Sequence, residues 1–408
     1  MKCRFCSKEL HFQFIDLVNS PPSNSYLTKE ELNEPEIFYP IKLFVCDNCY
    51  LVQIDEYKKS KEIFNETYAY FSSFSKSWLD HSKEYVEMII ERFGFNSYTF
   101  VIEIASNDGY LLQFFKEREI PCLGIEPSPN TAAIAKKKGI NVIEDYFGVE
   151  LAESLIKTHK KPDLLIGNNV LAHIPDINDF VKGLKILLSE EGVITMEFPH
   201  IMKLIENIQF DTIYHEHFSY FSFLTVKSIF EYHNLEIFDV DELSTHGGSL
   251  RIYAKHKNDQ TKEVSSKVYQ LYDLEISKKM NTLDYYKGFQ EKVNKLKYEF
   301  VDFLIEKKKL GKLVAAYGAA AKGNTLLNYC GVKNDLIEFV CDLSPYKQGK
   351  YLPASHIPVF SEEKIKETKP DYIIILPWNI KTEIMKQLAY IKDWGGNFVI
   401  PIPKVKFL

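Results

Sequence analysis

At 408 residues the chain is too long to gather around one hydrophobic core, and it reads as two or three domains. Its 45% apolar and 26% charged residues suit a soluble globular enzyme, and a net charge of −6 excludes nucleic acid and anionic membrane as main partners, because both require clustered lysine and arginine. The N-terminus, MKCRFCSKEL, has no apolar targeting core and no run of about 18 apolar residues follows it, so the expected location is the cytoplasm.

In that compartment seven cysteines, four of them in Cys-x-x-Cys pairs, point to metal rather than disulfides. Cys3 with Cys6, and Cys46 with Cys49, each place two thiolates in one tight turn, as the knuckles of a tetrahedral zinc site do. A redox pair would need a thioredoxin-like βαβ setting, which is missing. The stretch between the pairs, with Pro21, Pro22, Pro35 and Pro40, is too irregular to form a core without help. The expectation is structural zinc with no open position for catalysis. After it, residues 65–75 (NETYAYFSSFS) bring Tyr68 and Tyr70, which either cover the next domain as a lid or pack between domains. Packing is the plainer reading.

From Tyr98 the pattern becomes βαβ. Thr99 to Ile104 reads as a strand, Ala105 to Gly109 as a turn, Tyr110 to Arg118 as a helix and Cys122 to Ile125 as a second strand ending at Glu126. Further strands are expected near 141–143, 164–166 and 192–196, with ligands at the carboxyl ends of the strands. The first turn has a single glycine, Gly109, so the three-glycine dinucleotide fingerprint fails. A carboxylate ending the second strand is suited to gripping ribose hydroxyls without a pyrophosphate loop.

Ile213 to Phe221, IYHEHFSYF, concentrates Tyr214, His215, Glu216, His217 and Tyr220, a density of proton-handling groups that no solvated face requires. The bland alternative is a half-buried corner whose aromatics serve the core. His215 and His217 would share one side of a strand and could form a metal site, but spacing supplies no third ligand. In 244–253 (STHGGSLRIY), Gly247 and Gly248 read most simply as a turn before a sheet-closing strand at Leu250 to Ala254; Arg251 either meets a diphosphate or is structural. Apolar residues at helical spacing then predict long amphipathic helices up to about residue 310, with a role in dimerisation left open. A second βαβ follows, with a strand at Leu313 to Tyr317, the turn GAAAKG, a helix from Asn324 and a strand ending at Asp342. Lys322 at a small-residue turn suits an anion, with Lys347 a weaker candidate; the rival reading is a structural turn.

Three segments carry a more specific resemblance. EIASNDGYLL at Glu103 to Leu112 resembles a variant of the first motif of S-adenosylmethionine-dependent methyltransferases, GIEPS at Gly124 to Ser128 the ribose-binding strand, and NNVLAH at Asn168 to His173 the segment beside the methyl donor. The whole chain, with its four cysteines, YHEHFSYF and GAAAKGNTLLNY, resembles the sugar C-methyltransferases that act on nucleotide-linked keto-deoxysugars. The resemblance implies donor contacts from Glu103, Ala105, Asn107, Asp108, Gly109, Glu126, Pro127, Asn168 and Asn169. It implies His217 as general base, supported by Glu216, Tyr214 and His173, with Tyr68 or Tyr70 as further candidates at the ketone oxygen. His215 and Tyr220 would line the sugar, and Lys322, Asn324, Asp342 and Lys347 the nucleotide end.

The expected fold is α/β throughout: a small zinc-binding module with its aromatic linker (1–75), a Rossmann-like methyltransferase core (76–260), a helical connector (261–310) and a C-terminal Rossmann-like domain for the nucleotide sugar (311–408). The expected activity is methylation of the carbon next to a sugar ketone, in a monomer or homodimer. Transfer to oxygen or nitrogen of a sugar, or non-catalytic binding of a sugar nucleotide, are the alternatives.

Overall fold

Two strands lie near the N-terminus, β1 (Phe12–Ser20), which buries Phe14 and Ile15 in succession, and β2 (Tyr39–Val45), which shows the period of two that marks a half-buried sheet. In β2, Ile41, Leu43 and Val45 are buried and alternate with half-exposed Pro40, Lys42 and Phe44. The computed structural model describes residues 1–64 and 70–408, so Tyr68 lies outside the described residues. The chain forms two units interleaved along the sequence, one of residues 1–12, 44–201 and 217–286, the other of 13–43, 202–216 and 287–408.

The first unit contains β3 (Val52–Ile54), β4 (Val101–Ile104), β5 (Cys122–Ile125), β6 (Asn141–Ile143), β7 (Leu164–Asn168), β8 (Val193–Pro199), β9 (Ser219–Tyr220), β10 (Leu235–Leu243) and β11 (Ser249–His256). Seven of these make one sheet in the order β10-β11-β8-β7-β4-β5-β6. Strands β4 to β8 run parallel; β10 and β11 are antiparallel additions. All of β4 and β7 is buried, as in a parallel sheet covered on both faces. The chain leaves β4 toward β5 on one side and β7 lies on the other, which makes the end of β4 the switch point.

Helix Lys76–Phe93 covers this sheet with Ser82, Tyr85, Val86 and Ile89, spaced to share one face. The Ser75 side chain caps its start by accepting from the Trp78 amide at 3.3 Å, and left-handed Gly94 ends it. Strand β11 does not close the sheet, as its sequence suggested; it lies inside, and β10 forms the edge. Glu236, Asp239 and Asp241 interrupt the apolar pattern of β10, and Asp239 is stabilised there by Arg92 at 2.6 Å and Ser265 at 2.5 Å. In the same unit β3 pairs antiparallel with β9.

The second unit holds β1, β2, β12 (Val314–Tyr317), β13 (Val340–Cys341), β14 (Val359–Phe360), β15 (Tyr372–Ile375), β16 (Asn397–Ile400) and β17 (Lys406–Phe407). Its larger sheet has the order β14-β13-β12-β15-β16-β17, parallel except for β17. Gly318 turns the chain after β12 at φ 89°, where a Cβ would lie 2.4 Å from the Pro377 ring, so only glycine fits. Helix Ala321–Cys330 follows, and the predicted amphipathic helices are Ser266–Ser277 and Phe289–Lys309. Among the described residues no helix is long and apolar enough to cross a membrane.

Candidate active site

In the first unit the sulfurs of Cys3, Cys6, Cys46 and Cys49 lie within 4.8 Å of one another, with Cys3 to Cys49 and Cys6 to Cys46 each at 3.5 Å. Zinc bound tetrahedrally at about 2.3 Å holds its sulfurs roughly 3.8 Å apart, so the cluster fits the ion. Buried Gln53 donates from Nε2 to the Cys3 sulfur at 3.2 Å and accepts the Arg4 amide at 2.9 Å, an outer contact that orients a thiolate. With four protein sulfurs, this zinc is structural.

At the carboxyl end of β4 the turn Ala105 to Gly109 needs three left-handed residues, Ala105 at φ 57°, Asn107 at 49° and Gly109 at 75°. Asparagine tolerates this conformation and alanine adopts it at a cost, which is how a turn with one glycine still closes. At Gly109 a Cβ would meet the Ile140 side chain at 2.4 Å. The turn brings three buried acids together. Glu126, ending β5, accepts the Asn107 amide on one oxygen and the Ser128 amide on the other, both at 2.9 Å. Burial pushes its pKa up while those amides pull it down. Glu103 is fully buried and burial holds its carboxyl well above the usual range; Tyr110 offsets this in part, and Glu126 and Asp108 raise it further.

This chemistry suits S-adenosylmethionine. The donor carries a sulfonium and an ammonium, the positive charge that converging carboxylates lack, while each oxygen of Glu126 keeps a lone pair for a ribose hydroxyl. Asn168, ending β7 and 7% exposed, has a carboxamide with no hydrogen-bond partner among the described residues. Asn169 takes φ 55° and donates from Nδ2 to His246 at 3.1 Å. Pro127 is half-buried, two residues before helix Pro129–Lys137. The segment beyond the undescribed residues lies on the turn: the Asn107 side chain accepts the Ser72 amide at 2.9 Å and donates to the Tyr70 carbonyl at 3.3 Å, and Asp108 accepts the Ser73 amide at 3.3 Å. Tyr70 itself is 47% exposed.

A further network stands at the end of β8. Glu197 accepts from His81 Nε2 at 2.9 Å, Arg251 at 2.8 Å and Thr245 at 2.8 Å. Burial raises this carboxyl, but the three donors win and hold it at about 2. Trp78 stacks on His81 with ring centres 5.0 Å apart and on Tyr110 at 6.0 Å. The sequence signal was the lone acid in the apolar run VITMEFP; its partners, a helix and a strand away, gave none. Arg251 is structural in this unit.

The expected base lies on the loop side of the same sheet. His173 ends a 3-10 turn after β7, and its ring meets His217 edge-on at 4.7 Å; His217 meets Tyr220 at 6.1 Å. The Phe218 amide donates to the Ala172 carbonyl at 2.7 Å, tying the two loops together. Residues 213–218 form a turn rather than a strand, so the same-side argument for His215 and His217 does not apply.

Tyr214, His215 and Glu216 fall in the second unit. Tyr214 is half-buried, and buried His215 donates from Nε2 to the Tyr39 carbonyl at 3.2 Å. Glu216 is buried and accepts from Asn24. Lys322 donates to Asn379 at 2.9 Å, lies 5.1 Å over the Trp378 ring and faces Asp211, whose pKa burial pushes up to about 6. Lys347 donates to the Ala319 carbonyl at 2.7 Å and lies 3.5 Å from Asp342. Asn324 donates to the Ser23 carbonyl at 2.6 Å. Both lysines thus have acceptors in their own chain.

Family models match three successive stretches: a putative zinc binding domain over residues 3–64, a methyltransferase domain over 78–240 and a C-methyltransferase C-terminal domain over 244–403. The chain is 31% identical over 407 residues to the C-methyltransferase NovU of Streptomyces niveus, covering 100% of this chain and 96% of that one. Among solved structures, an S-adenosylmethionine-dependent methyltransferase of Anabaena variabilis is 18% identical with a TM-score of 0.35, over 42% of this chain and 83% of its own. Magnesium protoporphyrin IX methyltransferase of Synechocystis is 14% identical with a TM-score of 0.34, over 43% and 78%. The chain therefore belongs to the family of S-adenosylmethionine-dependent C-methyltransferases that join a zinc-binding domain, a methyltransferase domain and a C-methyltransferase C-terminal domain.

Proposed function

We propose that the enzyme methylates the carbon next to the ketone of a nucleotide-linked keto-deoxysugar, through an enolate, in the cytoplasm. A carbon-bound hydrogen becomes acidic only where the electron pair left behind can spread onto an adjacent carbonyl, so the reaction needs a base at carbon and a donor at the ketone oxygen. His217 takes the proton. An imidazole is suited to this task, and that of His217 is oriented by the edge-on His173 ring, the observation that carries this reading. Tyr214, His173 or Tyr70 donates to the developing oxyanion, Tyr68 being a candidate outside the described residues.

The donor, when bound, supplies a methyl group made electrophilic by its sulfonium. Glu103 and Asp108 complement its positive charge, Glu126 holds the ribose, and Asn168 and Asn169 orient the end that reacts. The enolate pair then forms the new carbon–carbon bond as the methyl–sulfur bond breaks, and His217 releases its proton to solvent. Water must be excluded and the reacting atoms held about 3 Å apart. Lys322, Asn324, Asp342 and Lys347 hold the nucleotide end, the lysines exchanging Asn379 and Ala319 for phosphate oxygens; His215 and Tyr220 line the sugar. Replacing His217 with Asn should leave donor affinity intact and abolish solvent deuterium exchange at the acidic carbon; retained exchange removes His217 from the role of base.

A further inference from the structure

Within the second unit, Glu216 meets Asn24 from a distant segment of the chain, and a third segment, helix Ala321–Cys330, ties to the stretches leading to both. Its two carboxylate oxygens both accept from the single Nδ2 of Asn24, at 2.8 and 3.0 Å. Glu216 is 4% exposed, so this donor replaces water that the carboxylate gave up on burial. A donor shared between both oxygens also fixes the plane of the carboxylate. An amide does this without a charge of its own, whereas lysine or arginine would pair with Glu216 and neutralise its charge.

The backbone on either side is pinned by one helix. From Ala321–Cys330, Asn324 donates to the Ser23 carbonyl at 2.6 Å and Asn328 to the Ser20 hydroxyl at 3.0 Å, two residues a turn apart meeting the stretch that leads to Asn24. Between them Thr325 donates to the Ile213 carbonyl at 3.0 Å, holding the stretch that leads to Glu216. Asn324 and Thr325 are each 1% exposed, so these hydrogen bonds are shielded from water. Tyr26 adds a fourth tie by donating to the Ala319 carbonyl at 2.5 Å, in the turn before the helix.

We propose that Asn24 is a positioning residue for the Glu216 carboxylate, with Asn324, Thr325 and Asn328 as the frame that keeps the two in register. This rests on the reading of Glu216 as the support of His217, its neighbour in the chain. It assigns a role in the reaction to the proline-rich stretch between the cysteine pairs, and a framing role to the GNTLLN part of the C-terminal motif.

The test is a double-mutant cycle on the full-length zinc enzyme, assayed with adenosylmethionine and nucleotide-linked 4-keto sugars. N24A and E216Q should each lower kcat by about 100-fold while donor affinity changes by less than about twofold. The double variant should be no slower than E216Q, because Asn24 acts only through that carboxylate. In N24D, a shape match, a second acid faces Glu216, so the acidic limb of the kcat profile should move to higher pH, and that shift should vanish in the E216Q background. N24A within about twofold of wild type, or losses that multiply, overturn the proposal. Should N24A fail to retain zinc or donor binding, N24D carries the test alone, with an unmoved pH profile as the contrary result. Wild-type methylation without carbon-hydrogen exchange contradicts the enolate reading itself. Wild-type exchange that persists undiminished in N24A and N24D strikes the role of Asn24 only.

Discussion

Glu197 illustrates how one residue ties local chemistry to stability. It is fully buried beside Arg251 and His81, and removing its charge leaves a buried guanidinium uncompensated. Glu197→Gln should therefore destabilise the first unit by about 3 kcal/mol or more near neutral pH, read from denaturant midpoints. Its pKa of about 2 lies below the ordinary glutamate value of about 4.3, so the stabilisation is complete above the latter and is lost as pH falls toward the former. The difference between wild type and variant should shrink across that window. At Glu103 the sign is reversed, because burial favours the neutral acid. Glu103→Gln should weaken binding of cationic adenosylmethionine by about tenfold and of adenosylhomocysteine by less, in calorimetric titrations at pH 8. Equal losses for the two ligands would count against a charge role. The positions of Glu126, one residue past β5, and Asn168, the last of β7, were legible because each of these strands is a short apolar run whose end can be read from the sequence. Glu197's partners and Asn24 were not, because side-chain convergence across 54 and 192 residues leaves no trace in spacing.

At the scale of elements, the zinc knuckles and the parallel strands were readable for different reasons. Each knuckle is complete within four residues, and each buried strand is a short apolar run, so neither depends on distant contacts. The β10 edge depends on them: its acids are tolerated only because Arg92 and Ser265 arrive from elsewhere. The turn after β12 likewise draws on distant residues, since Lys347 and Tyr26 both donate to the Ala319 carbonyl there. Metal analysis should find about one zinc per chain, and a strong chelator or Cys46→Ser should expose residues 1–12 and 44–54 to protease while the sheet of β4 to β8 keeps its protection. Full resistance after zinc removal would show that the knuckles hold without metal.

For the molecule as a whole, the succession of zinc, methyltransferase and C-terminal stretches was visible in the sequence and is matched by the family models. Interleaving was not visible, because the packing of 13–43 and 202–216 with the C-terminal sheet is decided by contacts that a reading in chain order does not contain. The same division places Glu216 and His217, adjacent in the chain, in different units.

The central claim is carbon methylation through an enolate, and the most direct test is mass spectrometry of products formed from adenosylmethionine and a panel of nucleotide-linked 4-keto sugars in deuterated water. The account predicts gain of one methyl with loss of one carbon-bound hydrogen, and deuterium exchange at that carbon in substrate not yet methylated. Methyl gain with every carbon-bound hydrogen retained would place the transfer on oxygen or nitrogen and contradict it.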